Sequence, residues 1–476
     1  MLSYQDLMRV GENEADRMAF VQEVINSHKN SDLYKDAVVA ESYYKKKNKT
    51  IMEFQKLLYT VTGEAIPDNY SADYKLRSLF FRRFVTQENQ YLLSNGVSWD
   101  NPATEDRLGT KRKSFDTQLQ KAGIYALWGA VSFGFWNYDH MDVFDVLEYA
   151  PLWDENDGAM KAGVRFWQVD TSKPLRATLY EMDGYTDYIW NKVEDNGKVE
   201  FAGQVLHEKR KYVQIAVSSE ADGTEILDGV NYDGFPIVPL WANPDHQTEL
   251  EGLREQIDCY DLIKSGFANT VDEASYIYWA IQNAGGMDDI DLANFVERMK
   301  TVHAGLVEDS NARAEAHTIE APYASREALL ERLRNDLYED AMALDVKAVQ
   351  GGAITATQIN ASYDNFNMKV NDYEGQIYDF VQGILFLAGI DDEPTFTRSR
   401  LVNATEEIQT IVSAGVYLEP SYVTEKILTI LGDGDKAEEM IKQMDADEIR
   451  PLEPTEEEVQ AIDEEIANGE EDNISE

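Results

Sequence analysis

The most constraining feature of the sequence is a long stretch with a helical apolar repeat, Thr357–Ile390. Its apolar residues follow one another in alternating steps of four and three, a spacing typical of one face of a helix. They are Ile359, Tyr363, Phe366, Val370, Tyr373, Ile377, Phe380, Ile384 and Leu387. Because the stretch contains no proline, we predict one uninterrupted helix of roughly 50 Å, at ~1.5 Å per residue.

A loop of small and nearly uncharged residues, Val346–Ala353, precedes this helix. It contains Gly351 and Gly352, and its one charged residue is Lys347. Since glycine allows backbone conformations that other residues avoid, the loop can approach another surface closely. On pattern alone, the simplest interpretation is a buried core helix that follows a surface turn.

Composition limits the class of protein. A chain of 476 residues exceeds one simple core, so we expect about two to four domains. The one cysteine, Cys259, excludes an intrachain disulfide and suits a reducing compartment. Met1–Arg9 lacks the pattern of a signal peptide, and the longest apolar run, Gly123–Trp136, is shorter than the ~20 residues that span a bilayer. We therefore expect a soluble, intracellular chain with no membrane partner.

The chain is strongly acidic, with 43 basic residues, 88 acidic residues and a net charge of −45. Tight binding to duplex DNA normally requires a basic face, which this balance does not favour. It is compatible with a surface that DNA slides past, because an acidic wall repels the DNA phosphates. The most basic cluster, Tyr43–Lys49, is compatible with phosphate binding or with a solvated helix end, where cations are favourable.

Periodicity divides the chain into helical and extended regions. The predicted helices are Ser3–His28, Asp32–Lys47, Tyr74–Leu93, Lys113–Phe135, Thr248–Asn269, Asp291–Lys300, Ser325–Leu344, Ala404–Ala414, Pro420–Leu431 and Asp435–Met444. The predicted strands are Val143–Leu147, Val164–Asp170, Leu175–Glu181, Tyr188–Val193, Lys198–Val205, Lys211–Val217, Thr301–Glu308 and Ala314–Ile319. Turn dipeptides such as Asn196-Gly197 separate several of these strands. The pattern predicts an α+β class, with an antiparallel β region inside a helical chain.

Motifs for catalysis are missing from the sequence. It has neither a phosphate-binding loop nor a dinucleotide fingerprint, and one cysteine cannot build a cysteine-rich zinc site. His207-Glu208 lacks a second histidine at the spacing of a zinc protease, and Asp154–Arg165 departs from a calcium loop in its glycine and its last ligand. We therefore predict no enzyme activity, no cofactor and no metal site.

Six stretches in order carry a resemblance that spans nearly the whole chain. They are Glu41–Tyr44 with the lysine-rich turn; Tyr74–Val97; Ala122–Trp136 with Tyr149–Asp154; Pro236–Asn243 with Glu249–Glu251, Gln256–Asp261 and Ser265–Asn269; Gly351–Asn360 with Lys369; and Ala414–Val416. Taken together, they resemble the portal proteins of tailed bacteriophages, of the type found in long-tailed phages of Gram-positive hosts.

The resemblance implies a phage portal fold with named regions. The wing is 1–247, with an antiparallel β region, together with the long helix 357–390. The stem helices are 248–269 and 325–345, and the small α/β insert between them, 270–324, is the clip. The tunnel loop is 346–356, and the helical crown with an acidic tail is 391–476.

The resemblance also implies a function. About twelve copies form a closed ring at one vertex of the capsid, and double-stranded DNA is packaged and ejected through its channel. The implied partners are the large terminase subunit, a head–tail adaptor protein, and the major capsid and scaffolding proteins. The protein is then part of the virion, after assembly in the host cytoplasm.

Two sets of site residues follow from the resemblance. The channel set comprises Val346, Lys347, Val349, Gln350, Gly351, Gly352 and Lys264. The clip set, expected to dock the motor and the adaptor, comprises Asp288, Asp289, Asp291, Glu297, Arg298 and Lys300. Lys264 stands where its helix face calls for an apolar residue, so a snorkelling lysine is the alternative interpretation.

Two other functions were weighed: a hydrolytic enzyme with an acidic cleft, and an acidic assembly scaffold. The missing nucleotide and metal motifs weigh against the enzyme, and the well-patterned β region weighs against the scaffold. Finally, we expect the helices to bury their apolar seams against neighbouring copies, because the ring wall needs such contacts.

Overall fold

The structure is a computed structural model that describes residues 2–59, 63–68, 71–109, 114–195, 198–219, 225–273, 278–282, 290, 294, 313–317, 323–349, 356–399, 404–431 and 440–441. The chain forms two compact units, 1–399 and 400–476, and each is described by itself. Every strand pair in the described residues is antiparallel. Helices and antiparallel sheets occur together in the first unit, which confirms the α+β class.

The helices of the first unit are α1 (Tyr4–Val10), α2 (Glu14–Asn30), α3 (Asp32–Tyr44), α4 (Thr50–Glu53), α5 (Phe80–Leu93), α6 (Ala103–Arg107), α7 (Phe115–Gly129), α8 (Arg254–Glu273), α9 (Tyr323–Asp340), α10 (Val346–Val349) and α11 (Ala356–Ala388). Its strands are β1 (Leu57–Tyr59), β2 (Ala65–Pro67), β3 (Val97–Trp99), β4 (Val131–Asn137), β5 (His140–Asp145), β6 (Tyr149–Trp153), β7 (Met160–Trp167), β8 (Leu175–Glu181), β9 (Gly184–Asp195), β10 (Lys198–Arg210), β11 (Val213–Ser219), β12 (Glu225–Val230), β13 (Ile237–Trp241), β14 (Tyr278–Gln282), β15 (Arg313–His317) and β16 (Pro394–Phe396).

The larger sheet has five strands in the order β10-β9-β8-β7-β6, and a second sheet has the order β13-β4-β5. Strands β9 and β10 pair from Asp195 and Lys198 onward, on either side of the predicted turn Asn196-Gly197, which itself lies outside the described residues. Helices α1 and α2 cover the five-stranded sheet, and their apolar residues form a core with it. The smaller pairs are β1-β2, β11-β12, β14-β15 and β16-β3.

Two predicted helices are interrupted. Ser3–His28 is two helices, because Gly11 has a φ of 73° and the Asn13 side chain caps the start of α2. The helix predicted for Lys113–Phe135 is wrong beyond Gly129: Ala130 has a φ of 68°, and the chain continues as β4 between β13 and β5. A short apolar run fits a buried strand as well as a helix, so the spacing of apolar residues after Gly129 could not distinguish a helix from a strand.

The long helix α11 is 33 residues long and lies in the main core. The seam residues from Tyr363 to Ile384 are buried, in a core that they share with α5, α7, β4 and β13. Gly134 of β4 allows this close approach, because a Cβ there would lie 2.5 Å from the Phe380 ring. The expectation that this seam needs a neighbouring copy is therefore wrong: the chain buries it alone.

The remaining helix boundaries differ from the predicted ones for local reasons. Helix α8 begins at Arg254 rather than at Thr248, after Gly252 with its φ of 76°. Helix α9 ends at Asp340, before Met342 with its φ of 49°. The region predicted as a loop at 346–356 holds the short helix Val346–Val349 and the first residue of α11.

The two strands β14 and β15 lie between α8 and α9 in the chain and pair with each other, in agreement with the strand predicted at Ala314–Ile319. The predicted helix Asp291–Lys300 lies almost wholly outside the described residues, and the predicted strand Thr301–Glu308 lies wholly outside them. In the second unit, α12 (Ala404–Ala414) and α13 (Pro420–Leu431) have the predicted bounds.

Candidate functional site

Helices α8 and α9 form an antiparallel pair. The side chain of Gln256 near the start of α8 hydrogen-bonds to Asp340 at the end of α9. At the other end, the Phe267 and Tyr323 rings lie 5.7 Å apart in an edge-to-face arrangement, a favourable geometry for aromatic rings. The pair is joined to the main core at one end through Ile257 and Leu337.

An extended segment, Ala72–Leu79, lies along α8, and we call it the strap. Three α8 side chains, spaced four residues apart, accept hydrogen bonds from its alternate backbone amides. The acceptors Asp261, Ser265 and Asn269 receive the amides of Ser78 (2.8 Å), Leu76 (2.9 Å) and Tyr74 (2.6 Å). A four-residue step keeps side chains on one helix face, and alternate amides of an extended chain point the same way.

All three acceptor side chains of this ladder are buried. Burial raises the pKa of Asp261 to about 6, although hydrogen bonds from Ser78 oppose the rise. A buried acceptor without a partner is costly, so the three buried acceptors hold the strap in one register on α8. The helix predicted for Tyr74–Leu93 therefore starts only at Phe80.

A buried ion cluster joins α11 to the core end of the helix pair, where α8 begins and α9 ends. Lys369 Nζ lies 2.5 Å from a carboxylate oxygen of Glu249, just before α8, and 2.9 Å from one of Glu88 in α5. It also donates to the carbonyl of Ala341, just after α9, at 3.3 Å. One side chain thus connects four segments of the chain.

The Lys369 cluster holds one cation for two carboxylates. Burial raises the pKa of Glu88 to about 7, against the attraction of Lys369 and with the repulsion of Glu249. Burial also acts to lower the pKa of Lys369, but the two carboxylates outweigh it and raise this pKa. Glu88 is the more deeply buried of the two acids.

The segment after α9 folds back on that helix. Arg334 donates two hydrogen bonds to the Asp345 carboxylate, at 2.7 and 2.5 Å, and the Lys347 amide donates a third at 3.0 Å. Burial acts to raise the pKa of Asp345, but these hydrogen bonds outweigh it and lower the pKa. The start of the predicted tunnel loop is thereby tied to α9.

A groove of about 580 Å³ opens beside this fold-back. Its lining residues come from α8, α9 and the segment that follows: Tyr260, Glu327, Leu330, Glu331, Arg334, Asn335, Asp345 and Lys347. Arg334 packs against the ring of Tyr338, 4.8 Å from its centre. The groove therefore carries acids on α9 beside an arginine that is already paired with Asp345.

The structure brings together part of the predicted channel set. Lys347 lines the groove with Tyr260, and Lys264 Nζ lies 5.8 Å from the centre of the same ring. Val346 is exposed at the start of α10, and Val349 ends that helix. Half-buried and above an aromatic ring, Lys264 has the geometry of the snorkelling alternative.

The other predicted site residues lie outside the described residues. In the channel set these are Gln350, Gly351 and Gly352. In the clip set they are Asp288, Asp289, Asp291, Glu297, Arg298 and Lys300.

The ladder and the ion cluster could not be predicted from local sequence patterns. Each joins residues far apart in the chain, and their partners are backbone amides or single side chains that leave no local pattern. A signal for the ladder was nevertheless present: short polar residues recur every four positions at Asp261, Ser265 and Asn269. On a surface helix that spacing also describes an ordinary solvated face.

Within the described part of the chain, no three histidine, cysteine or acidic side chains come together as a metal site would require. Within the same residues, no helix combines the length and the apolar character that crossing a membrane requires.

The structure is thus an α+β chain in which the helix pair α8 and α9, with the strap bound along α8, is joined to a core of helices and antiparallel sheets. Residues 24–451 match the family described as "Phage portal protein, SPP1 Gp6-like". The match covers far more than half of the chain, and the chain belongs to this family of phage portal proteins.

Two relatives show the same likeness. The portal protein of Clostridium phage phiCD119 is 23% identical over 218 residues, which are 44% of this chain and 48% of that protein. The chain thus matches about half the length of this clostridial relative. The portal protein of Bacillus phage SPP1 is 20% identical over 421 residues, which are 82% of this chain and 79% of that protein.

Solved structures of gene transfer agent particles are also similar to the chain. A chain in the virion of the native particle has 12% identity and a TM-score of 0.41, over 74% of this chain and 89% of that one. A chain in the neck of the native particle, computed with C12 symmetry, has 10% identity and a TM-score of 0.41, over 73% and 89%.

Proposed function

We propose that this chain is the subunit of a portal ring at one vertex of a phage capsid, through which double-stranded DNA enters and leaves. The observation that carries the proposal is the family match over residues 24–451. The ring contains about twelve copies around a closed axis. The chain contributes structure and no catalytic step, in keeping with a structural family.

The helix pair is proposed as the stem, since α8 and α9 are joined to the core at one end and to the 270–324 insert at the other. The insert is proposed as the clip, which docks the large terminase subunit and later a head–tail adaptor. Residues 346–356 are proposed as the tunnel loop. Major capsid and scaffolding proteins are the proposed contacts of the wing, and assembly in the host cytoplasm is part of the same proposal.

The acidic composition suits a conduit. Duplex DNA carries about one negative charge per 1.7 Å of its axis, and each subunit has a net charge of −45. Repulsion keeps the moving duplex from being trapped on the wall. Lys347, at the start of the proposed loop, supplies one weak phosphate contact per subunit.

Native mass spectrometry and electron microscopy of the purified chain test the ring directly. We expect a closed ring whose mass is about a dozen times 54.1 kDa, with a channel wide enough for a duplex. A chain that stays monomeric at high concentration, even with capsid and scaffolding proteins present, would contradict the proposal.

A packaging assay then tests the loop. Deletion of Gly351 and Gly352 should leave rings intact and stop DNA packaging by the terminase motor. Deletion of two residues from the β7–β8 turn, Ser172 and Lys173, is the matched control and should package DNA normally. Normal packaging by the Gly351-Gly352 deletion would remove the loop from the mechanism.

A further inference from the structure

Basic residues are concentrated in two short segments of this acidic chain. Lys45–Lys56 and Ala72–Arg83 together hold nine basic and two acidic residues. The whole chain has 43 basic and 88 acidic residues, so the balance of charge is reversed in these segments. We call them the basic patch.

The structure joins the two segments of the basic patch into one surface. Arg77 donates to the carbonyl of Asn48 at 3.3 Å, and Lys75 donates to the carbonyl of Met52 at 2.9 Å. The strap ladder fixes this arrangement, because Lys75 and Arg77 alternate with the residues whose amides bind α8. Beside them, the side chains of Lys47 and Lys49 are exposed.

The groove on the other side of α8 has the opposite charge. Glu327 and Glu331, one helical turn apart on α9, line it and are exposed. Arg334 in the groove is already neutralised by two hydrogen bonds to Asp345, which leaves Lys347 as the other basic lining residue. Glu327 and Glu331 outnumber Lys347, so the groove keeps a negative balance for a positively charged partner, and we call this surface the acidic groove.

Helix geometry places the strap, with Lys75 and Arg77, and the acidic groove on opposite sides of α8. Residues in an α-helix turn by about 100° each, so Ser265 on the strap side and Phe267 on the α9 side point in nearly opposite directions. One subunit thus carries complementary charges on two faces separated by a single helix. Identical subunits joined head to tail meet through two such different faces, and a closed ring results when the rotation closes.

We propose that the basic patch of one copy binds the acidic groove of the next copy in the ring. The inference rests on the proposed portal function and names the contact between its subunits. Copies with a net charge of −45 repel one another at long range, so a ring of them needs a local attraction. The basic patch supplies this attraction, because every copy also carries an acidic groove of opposite charge.

Four purified variants test the contact. The first reverses the patch with Lys47→Glu and Lys49→Glu, and the second reverses the groove with Glu327→Lys and Glu331→Lys. Each should raise the protein concentration needed for half-maximal ring formation about tenfold, because like charges then face each other.

The third variant carries all four changes in one chain and should form rings again. The fourth, Lys173→Glu with Arg176→Glu, changes the net charge as the first does, on exposed positions of the five-stranded sheet region, and should assemble normally.

The sharpest test is an equimolar mixture of the first two variants. Alone, each variant brings two faces of like charge together. In the mixture, the reversed patch meets the reversed groove and the native patch meets the native groove, so every contact joins opposite charges and rings with alternating subunits should form. Native mass spectrometry would show equal numbers of the two chains. The wild-type contact should also weaken with salt, since exposed charges are screened.

Two results would overturn the proposal and leave the portal function standing. One is normal rings from both singly reversed variants. The other is a first variant that assembles normally but no longer retains duplex DNA at low salt, which would assign the patch to phosphate binding. If the wild-type chain itself forms no ring, the portal function fails instead.

Discussion

Helices α11 and α9 are both long, yet the chain buries them to very different extents. In α11 the apolar seam is buried by the chain's own sheets and helices. In α9, which has 18 residues, the buried ones are Leu337 and Tyr338, while Tyr323 and Leu329 are 48% and 43% exposed. The seam of the first helix is covered within the subunit, whereas the second helix buries few residues and presents apolar and acidic surface along most of its length.

This contrast corrects the idea that all long helices of a ring depend on their neighbours. An apolar seam with a 3.5-residue spacing indicates that another surface buries it. The spacing does not show whether that surface belongs to the same chain or to a neighbouring copy. Burial in the folded chain decides that question, and here it separates a helix whose apolar seam the chain covers from one whose apolar side chains it leaves exposed. The predictions below test the separation.

The largest effect is expected in the middle of α11. Phe380→Ala removes a buried ring that fills the space above Gly134, so it should lower the free energy of unfolding by about 4 kcal/mol. Met368→Ala, on the same helix but 54% exposed, is the control and should change it by less than about 0.5 kcal/mol. Denaturant unfolding of the full chain measures both. Similar losses for the two variants would mean that α11 is not buried by its own chain.

The ion cluster should give the next largest effect. Lys369→Met leaves two carboxylates facing each other without their cation, which should cost about 3 kcal/mol. Adding Glu88→Gln removes one of these charges and should restore much of the loss. If the double variant is no more stable than Lys369→Met, repulsion between the acids is not the cause.

The cluster also predicts a pH dependence. The pKa of Glu88 is raised from 4.5 to about 7 in the folded chain, so the folded state holds a proton that the unfolded state releases. This contribution to stability is complete below pH 4.5 and is lost as the pH rises to about 7. Between pH 5 and pH 8 the wild type should lose about 2 kcal/mol more than Glu88→Gln. Parallel pH profiles for the two proteins would contradict this assignment.

The sequence predicted elements more reliably than it predicted their partners. The bounds of α12 and α13 were correct, and those of α11 were within two residues, because period and flanking glycines are local signals. Strand β4 was missed because its apolar run carries no clear period. The strap was missed because the acceptors of its amides lie almost two hundred positions along the chain. The groove was missed because its lining comes from three separate segments.

A smaller effect is expected in the strap ladder. Asn269→Ala removes the acceptor of the Tyr74 amide, and the loss of one hydrogen bond should cost about 1 kcal/mol. Hydrogen exchange should quicken at Tyr74 and Leu76 and stay unchanged at amides in the middle of α11. Asn335→Ala, an exposed amide on α9, is the control. Uniform acceleration across the first unit would indicate global destabilisation rather than release of the strap.

We expect the smallest effect on the isolated chain at Leu329. This position tests the α9 side of the comparison with α11. This side chain is exposed on α9, so Leu329→Ser should alter the free energy of unfolding by less than about 0.5 kcal/mol. If a neighbouring copy covers α9, the same change exposes a polar hydroxyl to an apolar contact and should reduce ring formation several-fold. Met368→Ser, on the outer face of α11, tests whether the long helix also contributes. Equal loss of rings from both variants would mean that α11 faces a neighbour as well, and that the division between the two helices is incomplete.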